Sequence, residues 1–218
     1  MEERDFDVVG VRRQGVISGY VAREDLVSGT LDDHARIFDV ADLLGEATPL
    51  VTVVGRLVQT PRVWVSIMGE ASGIITKGDL QKSPVRMWLF AVISLLEMQL
   101  LRLIRGRFPE ESWTAMLSPS RVQKAREILQ DRCRRNEAID LTDCLQFSDK
   151  RTMVVKTEDL RRVLGFDSQS EADEQLEELQ HLRNELSHAQ DVVSGRWPEL
   201  ARLANLAERI LERCEAAG

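Results

Sequence analysis

The stretch SPVRMWLFAVISLLEMQLLRLIR (residues 83–105) separates two parts of the chain that follow different sequence patterns. Ser83 is a favourable helix N-cap, and Pro84 suits the first helical position, where a missing amide hydrogen costs no hydrogen bond. Several apolar residues that follow are spaced three and four apart, as on the buried face of a helix: Leu89, Val92, Ile93, Leu96, Leu100, Leu103 and Ile104. The stretch therefore predicts a long helix that ends near Gly106.

Helical patterns continue through the rest of the chain, which predicts an antiparallel helical bundle over residues 83–218. Further helices are expected at about residues 119–136, 157–164, 171–194 and 198–214. Ser170 with Asp173 resembles a capping box, Gly195 is a suitable helix stop, and Pro198 can begin the last helix. Residues 137–156 carry the weakest pattern and are expected to be mostly irregular.

Residues 1–82 instead hold short β-type runs, which predict an α+β lobe. One hairpin is expected from residues 6–11 and 16–21, and another from residues 63–68 and 74–75, each with glycine in its turn region. Short helices are expected from about residue 39 to 44 and over residues 49–58. The fold class is therefore α+β, with a domain boundary after residue 82 and no low-complexity linker.

Composition limits the class of protein. The chain has 218 residues, a net charge of −7 and 43% hydrophobic residues, as expected for one large or two small packed domains. Three scattered cysteines predict reduced thiols in a cytoplasmic protein. The acidic start lacks a signal-peptide pattern, and the longest apolar run, residues 87–96, is too short to cross a membrane. The acidic balance argues against strong non-specific binding to nucleic acids.

Two segments of the first part resemble each other. Residues 16–26 and 68–80 both contain glycine, two strand-forming residues, a small residue, two variable positions and then Asp-Leu. This pattern resembles the CBS domain, whose strand–strand–helix ending carries Gly-x-x-(Thr/Ser)-x-x-Asp. The resemblance implies two repeats over residues 1–82, the first without its leading strand and helix. It also implies a regulatory adenine nucleotide (AMP, ADP, ATP or S-adenosylmethionine) in the cleft between them.

Three residues of this pattern are candidate nucleotide ligands. Asp25 and Asp79 can accept hydrogen bonds from ribose hydroxyls, and the Thr76 hydroxyl can hold a phosphate beside free amide groups at a helix start. Ala22 stands at the hydroxyl position of the first copy, so that half-site is expected to bind phosphate less well. The alternative interpretation is that Thr76 and Asp79 are ordinary helix N-caps.

The stretch LQHLRNELSHAQ (residues 179–190) contains Arg183, Asn184 and His188. It resembles the Arg-(polar)-x-x-x-His motif of HEPN domains, helical bundles found in many bacterial ribonucleases and toxins. The resemblance extends more loosely over residues 85–214, with Glu97 as the acidic residue of the opening helix. Gln190 stands where one variant of the motif has a tyrosine, so modification of that tyrosine is not expected here.

The residue types fit cleavage of RNA by its own 2′-hydroxyl. A histidine can accept the proton of that hydroxyl or protonate the leaving oxygen, and an arginine can hold the charged phosphate oxygens. Asn184 lies one helical turn before His188 and could hold the imidazole or the phosphate. The resemblance implies a metal-independent endoribonuclease that forms a 2′,3′-cyclic phosphate, in a toxin or defence effector with an antitoxin protein as a possible partner. The alternatives are a solvated helix face and a non-catalytic nucleotide-binding module that acts through a partner.

Helix geometry indicates a second copy of the chain. Leu176, Leu179, Leu182 and Leu186 form the apolar stripe of the helix, and Arg183 lies roughly 60–70° from the centre of that stripe. His188 lies on nearly the opposite face, where it could act in a groove completed across a two-fold axis, or where the helix breaks near Ser187. The HEPN resemblance also implies a homodimer.

A basic stripe on the helix at about residues 119–136 is a candidate RNA-binding surface. Four side chains lie near one face of that helix: Arg121, Lys124, Arg132 and Arg135. Such a stripe could follow a phosphate backbone. The alternative is a solvated helix face, since the chain as a whole is acidic.

Overall fold

The structure, a computed structural model, describes residues 6–39, 42–187 and 195–217. The chain divides into two compact units, Met1–Lys82 and Ser83–Gly218. The described strands lie in the first unit and the long helices in the second, so the predicted α+β class is confirmed.

The first unit contains two three-stranded sheets. In the first sheet, strand β1 (Val8–Arg13) pairs with β2 (Val16–Ala22), which pairs in turn with β3 (Arg36–Ile37), and both pairings are antiparallel. In the second sheet, strand β5 (Arg62–Ile67) forms a hairpin with β6 (Glu70–Thr76). Both predicted hairpins are confirmed, but the second turn is shorter than expected because β6 already begins at Glu70.

Two residues with positive φ close each hairpin. Gln14 and Gly15 have φ of 50° and 89°, and Met68 and Gly69 have φ of 53° and 86°. Positive φ at both central residues is the requirement of the type I′ turn, whose twist matches that of the strands it joins. Glycine at the second position adopts this conformation without steric cost.

The second sheet begins with a crossover. Strand β4 (Leu43–Gly45) is parallel to β5, and helix α1 (Leu50–Gln59) makes the connection that parallel strands require. The predicted helix over residues 49–58 is confirmed. The predicted helix over residues 39–44 is wrong in its described part, because Leu43 and Leu44 pair with β5 instead; residues 40 and 41 lie outside the described residues.

Aromatic side chains pack the interior of the first unit. The rings of Tyr20, Phe38 and Trp64 lie 5.0–5.7 Å apart, centroid to centroid, and link β2 to β5. Such aromatic contacts stabilise a small core by burial and by ring–ring geometry.

The second unit consists of helices: α2 (Ser83–Arg107), α3 (Pro119–Arg134), α4 (Phe147–Lys156), α5 (Glu158–Leu164), α6 (Gln169–Ser187) and α7 (Trp197–Ala216). Helix α2 packs on α6 and α7, and α4 packs on α6. The core contains the predicted stripe of α6 and the predicted apolar face of α2 except Leu103, which is only partly buried. Its buried side chains include Leu96, Leu100, Ile104, Leu176, Leu179 and Leu182. The predictions for α2, α3, α5 and α7 are confirmed, and that for α6 is confirmed as far as residue 187.

Two local predictions in this unit are wrong. Residues 137–156 are not mostly irregular, because they contain a 3-10 turn (Leu141–Cys144) and all of α4. The N-terminal cap of α6 uses other residues than Ser170 and Asp173. The Ser168 hydroxyl accepts a hydrogen bond from the Glu171 amide at 3.0 Å, and the Glu171 carboxylate accepts one from the Asp167 amide at 2.9 Å.

Helix α2 is the described helix that is long and apolar enough to cross a membrane by length and composition alone. A core helix of a bundle has the same property. Seven side chains of α2 are buried within the protein, and they lie on the face that the spacing predicted.

Candidate functional site

A polar cavity of about 380 Å³ lies between α2, the start of α4, and α6 in the helical unit. Its lining residues are Glu97, Leu145, Gln146, Phe147, Ser148, Gln180, Arg183 and Asn184. Three of the four predicted catalytic residues, Glu97, Arg183 and Asn184, therefore meet at one cavity. The fourth, His188, lies outside the described residues.

Two cations share the carboxylate of Glu97. The buried Lys150 ammonium donates a hydrogen bond to Glu97 Oε1 at 2.8 Å. On the other side, Arg183 Nε lies 3.7 Å from Glu97 Oε2, within ion-pair range but beyond hydrogen-bond length. Arg183 is thus attracted towards the carboxylate without being fully engaged by it.

The guanidinium of Arg183 remains accessible. Its side chain is 39% exposed, and Nη1 makes a long contact of 3.4 Å with Asn184 Oδ1. An arginine fork with free N–H groups suits the planar geometry of two phosphate oxygens. The cavity wall can therefore bind an anion.

The first turn of α4 adds to this property. Phe147 and Ser148 line the cavity at the start of a ten-residue helix. The first amide groups of a helix have no partner within the helix, and its N-terminal end favours negative charge. Arg183 and the start of α4 therefore provide positive potential at the same cavity.

Sequence reasoning missed three polar residues of the cavity wall, Gln146, Ser148 and Gln180, and also Lys150, which pairs with Glu97. Lys150 lies in the segment that was expected to be irregular, although Phe147, Met153 and Val154 carry a helical spacing there. Gln180 lines the cavity, and its buried Oε1 has no hydrogen-bond partner among the described residues. Gln180 lies four residues before Asn184 on α6, and this spacing could have indicated that the two side chains share a face of the helix.

The predicted RNA-binding stripe is only partly available. Arg121 donates two hydrogen bonds to the buried Asp149, at 2.8 and 2.7 Å, and a third to Gln146. Its hydrogen bonds to Asp149 raise the pKa of Arg121. Arg132 donates to Glu137 at 2.6 Å. Of the four predicted cations, Lys124 and Arg135 are exposed, whereas Arg121 anchors the start of α4.

Thr76 and Asp79 are hydrogen-bonded to each other, but the N-cap of the turn that follows is Gly78, which makes no side-chain cap hydrogen bond. The amide and hydroxyl of Thr76 donate to Asp79 Oδ2 at 2.8 and 2.9 Å, and Lys82 donates to Asp79 Oδ1 at 2.6 Å. Burial alone would raise the pKa of Asp79, but these hydrogen bonds outweigh it and the pKa is lowered. The expected helix after Asp79 is a single 3-10 turn, Asp79–Gln81.

A second cavity, of about 650 Å³ and largely apolar, lies in the first unit. It is lined by Phe6, Asp7, Val8, Val9, Gly10, Pro61, Arg62, Ile74, Thr76, Lys77 and Gly78. Thr76 is the predicted nucleotide ligand that reaches it. Asp25 is ion-paired with Arg36, and its Oδ2 is buried without a hydrogen-bond partner in the described part of the chain.

Comparison with known proteins found no significant relative of this chain. No protein-family model matches the chain, and neither a curated protein nor a solved structure matches it significantly. Over residues 6–39, 42–187 and 195–217, no group of three or more His, Cys, Asp or Glu side chains is placed to hold a metal ion.

Proposed function

We propose that the helical unit is a metal-independent endoribonuclease of the HEPN type and that an adenine nucleotide bound to a CBS-like first unit regulates it. One observation carries the proposal. Glu97 and Arg183 were selected from two motifs far apart in the sequence, and both line the same polar cavity with Asn184.

The proposed reaction uses the 2′-hydroxyl of the RNA as nucleophile. Its oxygen attacks the adjacent phosphorus, the bond to the 5′-oxygen breaks, and the products are a 2′,3′-cyclic phosphate and a free 5′-hydroxyl. His188 takes the proton of the attacking hydroxyl or supplies one to the leaving oxygen. Arg183 binds the non-bridging oxygens as their charge grows, and Asn184 orients the phosphate or the imidazole. Glu97 lies between two cations, Lys150 and Arg183, and its negative charge sets the net charge of the cavity.

The proposed active form is a homodimer. The outer face of α2 carries an apolar stripe of Met87, Phe90, Leu95 and Met98, which are 70%, 40%, 50% and 65% exposed. Residues 87–96 include no charged side chain. Glu97 lies only about 20° from Phe90 around the helix axis, so the stripe borders the polar cavity. A second copy seated on this stripe would bury it and stand beside the catalytic residues.

The apolar cavity of the first unit is the proposed nucleotide site. Its volume falls in the range of small-ligand pockets, and its apolar wall with Arg62 and Lys77 fits an adenine ring joined to phosphates. Thr76 and Lys77 precede the Asp79–Gln81 turn, and α2, which carries Glu97, begins at Ser83. Millimolar AMP, ADP, ATP or S-adenosylmethionine should raise the thermal midpoint, and no shift with any of them discards this part.

The cellular proposals rest on the HEPN resemblance. We propose a cytoplasmic toxin or defence effector, restrained by an antitoxin protein, with Lys124 and Arg135 available to contact the RNA backbone.

Cleavage of labelled RNA in the presence of EDTA tests the function. Arg183→Ala and His188→Ala should each lower the rate about 10²- to 10³-fold, and RNA with 2′-deoxy positions should resist cleavage. Arg162→Ala is the matched control, because Arg162 is an exposed arginine of α5 that pairs with Glu158. Equal activity of the wild type and all variants would identify a contaminating nuclease.

A non-catalytic nucleotide-binding module is the second candidate, favoured by the cavity of the first unit. Nucleotide binding without RNA cleavage, in the presence or absence of adenylates, would select it.

A further inference from the structure

We propose that Lys150 is a positioning residue that keeps Glu97 from neutralising Arg183, so that the polar cavity retains a positive charge for one phosphodiester. This inference rests on the proposed function. It deepens that function by assigning a role to a residue on α4.

Lys150 is fixed in place. Its side chain is 5% exposed, and its ammonium donates to Glu97 Oε1 at 2.8 Å and to the Leu145 carbonyl at 3.0 Å. A buried ammonium is costly unless it is paired and hydrogen-bonded, so these two acceptors determine its position. Because Leu145 precedes α4, the carboxylate of Glu97 is tied to the backbone that begins this helix.

Asp149 in the same unit shows what a carboxylate does when its other donor is a neutral amide, that of Gln146 at 2.9 Å. Asp149 accepts hydrogen bonds from Arg121 Nε at 2.8 Å and Nη2 at 2.7 Å, a two-point pair that occupies the guanidinium. Glu97, in contrast, stays 3.7 Å from Arg183 Nε. The difference follows from Lys150, which draws Glu97 away from Arg183.

The charges at the cavity then sum to one positive charge. Lys150 and Arg183 are cations and Glu97 is an anion, and a phosphodiester carries a single negative charge. Without Lys150, Glu97 would close on Arg183 as Asp149 closes on Arg121, and the net charge would vanish. Loss of the Glu97 charge together with that of Lys150 would leave Arg183 alone and restore a net charge of one positive unit.

Binding of a deoxydinucleotide with one phosphodiester tests this charge balance, because it lacks the 2′-hydroxyl and is not cleaved. Lys150→Met should weaken its affinity at least about tenfold, and the double variant Lys150→Met/Glu97→Gln should return it to within about threefold of wild type. Lys150→Arg, which keeps the cation, should bind like wild type. If Lys150 only stabilised the fold, the double variant would bind the dinucleotide as weakly as Lys150→Met whenever the two variants have the same thermal stability.

The outcomes separate this inference from the proposed function. Unchanged affinity in a folded Lys150→Met protein, or a folded double variant as weak as the single one, overturns the role of Lys150 while RNA cleavage stands. If Lys150→Met does not fold, the double variant alone decides, since it must bind like wild type. Wild type that binds the dinucleotide but cleaves no RNA overturns the nuclease only. Wild type that does neither overturns both.

Discussion

Asp79 stabilises the turn that follows β6, because its carboxylate receives hydrogen bonds from the Thr76 amide, the Thr76 hydroxyl and Lys82. A hydrogen bond of this kind typically contributes about 0.5–1.5 kcal/mol net. We therefore expect Asp79→Asn to lower the free energy of unfolding at pH 7 by an amount in this range.

This effect should depend on pH in a defined direction. The pKa of Asp79 is lowered in the folded protein, so the ionised form is favoured by folding. Its contribution is present above the ordinary carboxyl pKa and is lost as the pH falls through the lowered value. Urea unfolding at pH 7 and at pH 3 should show a difference between wild type and Asp79→Asn that shrinks in acid. Asp32→Asn is the control, because Asp32 is 75% exposed and should have little effect at either pH.

Gly165 ends α5 with φ of +76°, and a Cβ at this position would lie 0.9 Å from Arg213 Nη1. We expect Gly165→Ala to destabilise the helical unit by more than about 1 kcal/mol, from the left-handed backbone and from displacement of Arg213. Gly106→Ala is the matched control, because Gly106 is helical and a Cβ there meets nothing within 4 Å. Thermal unfolding should move in opposite directions for the two variants, and equal shifts would contradict the explanation.

At the residue scale, the site residues that could be predicted from the sequence are those that belong to a local motif. Arg183 and Asn184 are neighbours on one helix, and Glu97 occupies the expected position of another. Lys150 could not be predicted in the same way, since its partner Glu97 is 53 residues away and a buried lysine breaks the apolar period of its own helix. Long-range ion pairs of this kind leave no local signature.

The same physical limit operates at the scale of elements. The hairpins and the amphipathic helices were predictable, because their periodicity and turn residues are local properties of the chain. Helix α4 was missed because Asp149 and Lys150 are buried by partners on α3 and α2. Strand β4 was missed because Leu43 pairs with Trp64, a partner that only the folded sheet defines.

The exposed stripe of α2 is the element that tests the homodimer. A lysine in the middle of an apolar contact between two copies would be buried without a partner, which is strongly unfavourable. We expect wild type to sediment as a dimer at micromolar concentration and Met98→Lys to sediment as a monomer. Met68→Lys introduces the same charge at a 93% exposed methionine of the first unit and should remain dimeric.

Other sedimentation results would contradict this assignment. A monomeric wild type removes the homodimer, and a dimeric Met98→Lys protein places the contact elsewhere. Wild type that is monomeric but sediments with lipid vesicles would assign the stripe to a membrane surface instead.

At the scale of the whole molecule, the proposed regulation requires a coupling free energy between nucleotide and RNA. The chain passes from the Asp79–Gln81 turn to α2 through residue 82 alone, and the proposal is that a nucleotide beside Thr76 acts through this junction on the helix that carries Glu97. Coupling of this kind is typically about 1–3 kcal/mol, or roughly 5- to 150-fold in affinity, and it is reciprocal. An RNA that resists cleavage through 2′-O-methyl groups should therefore change the nucleotide dissociation constant by the factor by which the nucleotide changes RNA affinity.

Calorimetric titration of nucleotide with and without this RNA measures that factor directly. Lys77→Ala, at the wall of the apolar cavity, should weaken nucleotide binding, while cleavage in the absence of nucleotide stays at the wild-type rate. Equal nucleotide affinity with and without bound RNA would mean that the two units act independently. The short junction would then connect two binding sites without coupling them, because a ligand shifts an equilibrium only by its difference in affinity for the two states.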